Sequence, residues 1–507
     1  MLQTILSVFK PDVLLLMLAG IAIGNIFGCV PGLNAPIAVA LALPITFLLD
    51  TIPAMALILG LYFGATSGGL VSAILLRIPG TASNVASCFD GYPLAQKGRA
   101  ADAMSYGAFA SFFGGIFSSF ILLALAPMLA KVAVVFGPWE FFGTALLSLV
   151  LVSVMMGDKM LKSFIVICIG LLMKCVGLSP VDSVAVRYTF GIRSLEAGFN
   201  LVVVIIGVFA IPEVINTVGK LNQKVTTSKV EKKLFYIPKW KEIRENFGVM
   251  LSSSIIGTLI GIIPGMGGGA ASLISYEQAK KTSKHPERFG TGEPAGIFSC
   301  ESANNAVTGG ALIPMLSLGV PGDTVASVIM GALLLQGVTP GPLLSMNNPE
   351  LFRAILAIAF LANIIMFLYQ ASTIRIMAQI ARIPKAILMP IITMFCLTGT
   401  ISIRNNMFDL VYVMLIAFLG YLFDKNGYPF APFILANVLG DTLESNLRRA
   451  IMYYGTFGNC CKQVSIGTVF FFIAVLLPIC AIILRYRKNT KLASLHRTPT
   501  AKRTHNK

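Results

Sequence analysis

Apolar residues gather along this chain in long runs, not in the alternating or 3.6-residue patterns of half-buried elements. In a first half the runs cover 13–30, 54–76, 104–136, 139–156, 162–178 and 199–218. In a second half they cover 247–263, 306–320, 324–337, 352–372, 386–400, 408–423 and 465–484. A bilayer-crossing helix needs about 20 apolar residues, so the pattern predicts an all-α polytopic membrane protein of about 12 transmembrane helices. Runs too short to cross alone are expected to form re-entrant hairpins. The first run follows Lys10 and Asp12 without a small-residue cleavage site, and reads as a helix rather than a removable signal.

Two runs end on the same pattern. Gly24-Asn25-Ile26-Phe27-Gly28-Cys29-Val30-Pro31-Gly32 and Gly257-Thr258-Leu259-Ile260-Gly261-Ile262-Ile263-Pro264-Gly265 both read GxxxGxxPG. Downstream, Gly68-Gly69 precedes Pro79-Gly80, and Gly309-Gly310 precedes Pro321-Gly322. Paired motifs in the same order predict an internal duplication. Residues 1–218 form the first transmembrane repeat, 219–245 a basic linker, 246–484 the second repeat and 485–507 a basic tail. The Pro264-Gly265 segment lies between that linker and Lys280, Lys281, Lys284 and Arg288, so both its ends face one side. Its counterpart is bordered by Lys10, Asp12 and Asp50 and is free to open to the other side, which predicts inverted repeats.

Composition supports the membrane reading: of 507 residues, 56% are hydrophobic and 12% charged, with mean hydropathy +0.81. Soluble domains carry about 25% charged residues. The net charge of +17 suggests nucleic acid until it is located. The linker contributes +5 and the tail eight Lys/Arg with no acid, so the excess follows the positive-inside bias and places both segments in the cytoplasm, with no nucleic-acid partner. Nine cysteines without a CxxC pair and three histidines in polar segments point away from disulfides, metals and redox cofactors.

Unwound backbone at membrane depth survives only where protein or a wet cavity satisfies it. The breaks at Pro31-Gly32, Pro79-Gly80, Pro264-Gly265 and Pro321-Gly322 therefore predict one central polar cavity. Half-helix N-termini suit a carboxylate, and freed carbonyls suit a cation. Beside the breaks lie Thr81, Ser83 and Asn84, and Ser302, Asn304 and Asn305, whose hydroxyls and amides can bind an anion or Na⁺. Arg77 can meet a substrate carboxylate as a bidentate donor or reach an interface. Asp323 and Glu301 can carry a coupling proton, bind Na⁺ or cap a half-helix. Gly265-Met266-Gly267-Gly268-Gly269-Ala270 fits a dinucleotide pattern without its βαβ setting, and no P-loop occurs, so an ion gradient is the expected energy source.

Four stretches carry a family resemblance: IPGTASNVASCFDGYPLAQKGRAADAM (78–104), GTLIGIIPGMGGGAASLISY (257–276), ESANNAVTGGALIPMLSLGVPGDTVASVIMGALLLQG (301–337) and TPGPLL (339–344). The chain resembles, from about residue 15 to 485, the large membrane subunit of the tripartite tricarboxylate transporters. The resemblance implies a bacterial inner-membrane secondary transporter that works with a small transmembrane subunit and a periplasmic solute-binding protein. It implies uptake of organic anions such as citrate on a Na⁺ or H⁺ gradient. Family members often read Ala-Pro-Glu where this chain has Ser299-Cys300-Glu301, and an acidic residue where it has Ala295 before Gly296. Alternating access around the breaks is the expected mechanism; a passive anion channel and an intramembrane enzyme are the alternatives.

Overall fold

The computed structural model describes residues 6–181, 184–218, 235–342, 344–380, 383, 385–404 and 406–495. Proline sets both ends of the first helix, α1 (Pro11–Cys29). Pro11 presets φ in its first turn, and Pro31 pushes Val30 out of the helical region, to φ −87° and ψ 115°. Gly32 turns the chain at φ 98°, and α2 (Ala35–Thr46) starts from an Asn34 cap. Next come α3 (Thr51–Leu76) and α4 (Ser87–Leu94), then a π-turn at Ala95–Arg99 that leads into α5 (Ala100–Ala133). The first half closes with α6 (Pro138–Met155), α7 (Met160–Lys174) and α8 (Leu201–Asn216).

The second half holds α9 (Trp240–Ile262), α10 (Gly267–Thr282), α11 (Pro294–Leu318), α12 (Thr324–Leu335) and α13 (Pro349–Ile380). After them come α14 (Lys385–Arg404), α15 (Phe408–Lys425), α16 (Phe430–Tyr454) and α17 (Ile466–Leu495). Backbone turns at its motifs match those of the first half. Ile263 ends α9 at φ −85° and ψ 115°, and Gly265 turns at φ 86°. Arg77 ends α3 in the left-handed region at φ 56°, as Gly319 ends α11 at φ 72°. Thr81 and Asp323 then follow in extended conformation.

Among the described residues, seven helices are long and apolar enough to cross a bilayer, and four shorter apolar helices accompany them. Two of the short ones, α2 and α12, are half-helices that follow Pro31-Gly32 and Pro321-Gly322. Among the described residues the fold is all-α apart from a two-residue antiparallel pairing of Gly177–Leu178 with Val186–Arg187. Linker residues 219–234 and tail residues 496–507, on which the expected sidedness depends, lie outside the described residues.

Helices α3 and α11 are buried over nearly their whole length and form the centre. Each receives a glycine-edged partner. A Cβ at Gly24 or Gly28 of α1 would stand 2.5 or 2.1 Å from the carbonyl oxygen of Leu61 or Ala65. A Cβ at Gly257 or Gly261 of α9 would stand 2.2 or 2.6 Å from that of Ala303 or Val307. Lipid offers no hydrophobic drive between helices, so backbone approach through small residues supplies the contact. Helix α17 instead turns Val469, Phe472, Leu476 and Ile483 outward, as a lipid-facing helix does.

Valine at Gly28 or Gly257 should force these helix pairs apart and lower both the melting midpoint and the folded yield in detergent. Alanine at Gly248, where nothing lies within 4 Å, should instead stabilise α9 by about 0.5–1 kcal/mol. Melting of Gly28→Val at the wild-type temperature contradicts the close-packing role.

Candidate functional site

A cavity of about 400 Å³ lies where the interrupted segments meet. Each of the four sequence breaks sends residues to its wall: Asn34–Pro36, Thr81–Ser83, Gly265–Gly269 and Asp323–Val325. Tyr62 and Thr66 of α3, and Asn304 and Thr308 of α11, fill the space between them. These groups correspond in pairs. With Gly28 set on Gly261 and Gly80 on Gly322, Asn34–Pro36 falls on Gly267–Gly269 and Thr81–Ser83 on Asp323–Val325, while Tyr62 falls on Asn304 and Thr66 on Thr308. Met156, Phe209 and the start of α16 complete the wall.

The paired positions differ in chemistry. Helix α12 is capped by Asp323, whose Oδ1 accepts the Ala326 N–H at 2.7 Å and whose Oδ2 accepts the Tyr62 hydroxyl at 2.6 Å. Helix α2 is capped by Asn34, which accepts the Ile37 N–H at 3.1 Å, and Pro36 removes a further donor. Helix α10 begins at Met266-Gly267 with no side-chain cap. Its first turn, Gly267-Gly268-Gly269, carries no side chain to cover the backbone N–H groups. A Cβ at Gly268 would stand 2.6 Å from Ser83 Oγ and 2.7 Å from Asn304 Oδ1, so glycine lets this N-terminus approach both. An uncapped helix N-terminus carries roughly half a positive charge. Among the described residues the lining includes no Lys, Arg or His and one acid, Asp323, already engaged as a cap. The wall therefore holds no formal cation, and its positive end is the start of α10, where the glycine N–H groups suit an anion.

Behind the wall is a buried polar knot. Thr81 Oγ1 donates to Asn84 Oδ1 at 2.6 Å, and Asn84 Nδ2 donates to Glu301 Oε1 at 2.9 Å. Ser87 also donates to Glu301 Oε1. Ser111 Oγ and Asn304 Nδ2 reach Oε2 at 3.3 and 3.5 Å. Asn305 Nδ2 donates to Ser111 Oγ at 2.8 Å. The Oδ1 atoms of Asn304 and Asn305 and the Ser302 hydroxyl are buried without partners.

Of the residues singled out in the sequence, Thr81, Ser83, Asn304, Asp323 and Gly265 line the cavity. Asn84, Asn305 and Ser302 sit behind it. Arg77 lies apart, exposed at the end of α3 with its guanidinium 5.7 Å from the Tyr92 ring centre, and does not reach the site. Pro31, Gly32, Pro79, Gly80, Pro264, Pro321 and Gly322 stand outside the lining, where they set the turns. Gly80 and Gly322 do not take positive φ. Their Cβ atoms would fall 2.0 and 2.1 Å from the Gly28 and Gly261 carbonyl oxygens, so glycine is required there for close approach. Tyr62, Thr66 and Thr308 were not expected. Tyr62/Thr66 and Asn304/Thr308 each share a helix face at i, i+4, a spacing that polar residues on an apolar run leave visible.

A multi-pass membrane protein with interrupted helices around an anion-suited cavity has the build of a solute transporter. Residues 14–435 match the model of the tripartite tricarboxylate transporter TctA family, and the chain belongs to that family. It is 36% identical over 434 residues to an Agrobacterium vitis protein described as an uncharacterized 52.8 kDa protein in the TAR-I ttuC' 3'region, an alignment covering 85% of this chain and 86% of that one. It is 39% identical over 196 residues to an uncharacterized protein in the TAR-II ttuC' 3'region of the same organism, covering 39% of this chain and 81% of that one. No solved structure matches.

Removing the α12 cap with Asp323→Ala should destabilise the protein by about 1 kcal/mol. Asp323→Asn keeps a capping side chain and should melt near wild type. If the two variants melt alike, capping is not what Asp323 does.

Proposed function

We propose that this chain is the translocating subunit of a binding-protein-dependent secondary transporter that takes up tricarboxylates or related organic anions by alternating access. The convergence of all four breaks on one cavity carries this reading. A substrate carboxylate accepts the backbone N–H groups of Gly268 and Gly269 at the start of α10. The hydroxyls of Ser83 and Thr81 can donate to it as well, and Asn304 Oδ1 is free to accept from a hydroxyl or protonated carboxyl elsewhere on the guest. The site binds through dipoles instead of a buried cation, so a charged guest is held without a strong ion pair to break on release.

The two halves are inverted copies that rock about this site. Paired lining positions and matching turns support a duplicated site. Each facing state is favoured by whatever the occupied cavity fits better. Partners are a small transmembrane subunit and a periplasmic solute-binding protein. The chain sits in the bacterial inner membrane with its C-terminus in the cytoplasm, and a Na⁺ or H⁺ gradient drives accumulation.

The test is accumulation of labelled citrate and a panel of di- and tricarboxylates in proteoliposomes holding all three components. Wild type should concentrate at least one of these acids, and an ionophore should abolish the gradient. Gly268→Val fills the space before Ser83 and Asn304 and should cut uptake about tenfold or more, the effect of some 1.4 kcal/mol of lost binding, while inserting normally. Accumulation of only non-acidic solutes, or unchanged uptake by Gly268→Val, contradicts the reading.

A further inference from the structure

The anion chemistry above leaves Glu301 unused. Its side chain is fully buried on α11, one turn before Asn304, and forms no ion pair among the described residues. The donors Asn84, Ser87, Ser111 and Asn304 favour its charged form, but a fully buried carboxylate without an ion pair remains costly, and a bound proton removes the charge. Its surroundings suit a proton better than an alkali cation. The amide nitrogens of Asn84 and Asn304 point their hydrogens at its oxygens, where a cation requires oxygen ligands. The free amide oxygens of Asn304 and Asn305 are not directed at it. Ser111 can turn from donor to acceptor, so a proton on Oε2 has a partner in place.

The same bonds link Glu301 to the cavity by two routes, one from each half of the chain. Thr81 of the wall reaches it through Asn84, and Asn304 of the wall reaches it directly. An anion that accepts the Thr81 hydroxyl takes that hydrogen from Asn84, and one seated at Gly268 lies against Asn304. Both shifts move amides that donate to Glu301.

We propose that Glu301 carries the coupling proton, taking up one proton as the outward-facing cavity binds an organic anion and releasing it toward the cytoplasm, so that a proton gradient and not a sodium gradient drives accumulation. This rests on the transport reading above and supplies its coupling ion. One positive charge then travels with the anion, so a di- or tricarboxylate still carries net negative charge inward, and the pH gradient is read with the membrane potential held at zero by potassium and valinomycin. The titratable groups on the helices packed against α11 are Cys300 on α11 itself, Cys88, Asp90 and Tyr92 on α4, Tyr62 on α3 with Arg77 just past its end, Asp102, Tyr106 and Lys131 on α5, Lys241, Glu242, Arg244 and Glu245 on α9, and Tyr276, Glu277, Lys280 and Lys281 on α10. Asp90 is bonded to Tyr276, and Tyr106 to Glu242 of α9; Asp323 lines the cavity but is held by the Ala326 N–H and the Tyr62 hydroxyl as a helix cap, whereas Glu301 is joined to the cavity through the side chains of Asn84 and Asn304.

The experiment uses the three-component proteoliposomes with whichever acid of the panel wild type accumulates, in sodium-free buffer with an imposed pH gradient. About one pH unit supports about tenfold accumulation per coupled proton. Glu301→Gln should lose that accumulation, and its exchange of internal for external substrate should lose its dependence on pH. Glu301→Asp keeps a carboxyl and should keep gradient-driven uptake with a displaced pH profile, which separates coupling from folding. An infrared pH titration of wild type should show a protonated-carboxyl C=O band that Glu301→Gln lacks, and this needs no substrate. Gradient-driven accumulation by Glu301→Gln, a wild type that accumulates only with Na⁺, or a band that survives in the variant overturns the proposal. Failure of wild type to accumulate any acid, with the band present and lost in Glu301→Gln, refutes the transport reading and leaves the proton site standing.

Discussion

Hydrocarbon cannot satisfy a broken helix, and the centre of this protein is arranged around that constraint. Four breaks release N–H and carbonyl groups from the regular ladder. Some find backbone partners across the breaks: the Gly80 and Gly322 N–H groups reach the Gly69 and Ala311 carbonyls at 3.4 and 3.3 Å, and the Gly265 N–H reaches the Gly322 carbonyl at 3.0 Å. Others are taken by the Asn34 and Asp323 caps. The starts at Thr81 and at Met266 have no side-chain cap, and the cavity forms between them. The polarity of the site follows from the N-termini left uncapped, of which α10 is the full-length helix.

Such breaks hold their shape only if the helices beside them are fixed. Glycines of α1 and α9 bring those helices against α3 and α11 at backbone contact distance, and Gly80 and Gly322 rest on the carbonyls of Gly28 and Gly261. The GxxxG steps and the Pro-Gly turns are thus one device. Close packing sets where each broken end stops, and each broken end stops where its counterpart in the other half can meet it. Moving parts must come from elsewhere, since a contact this short cannot slide without separating.

Much of this was legible in the residue pattern. The breaks follow from proline's missing donor and its effect on the preceding residue, which act locally and in the same way at Val30 and Ile263. Asn304 and Asp323 were visible as polar residues on apolar runs. The distance of Arg77 from the cavity was not, because α3 ends in a left-handed turn at that residue and its side-chain direction depends on the turn. Nor was the division of Asn304 from Asn305, adjacent in sequence but about 100° apart around a helix, so that one faces the cavity and the other Ser111. The roles of Gly80 and Gly322 required a neighbouring helix that no local rule supplies.

The most direct measurement is a cryo-electron microscopy map of the assembled transporter with a transported carboxylate bound. The expected result is ligand density in the cavity with a carboxylate about 3 Å from the Gly268 or Gly269 nitrogen, flanked by Ser83 and Asn304. Density seated on Arg77, or at any surface away from the starts of α2, α10 and α12, contradicts the claim that the broken helices hold the anion.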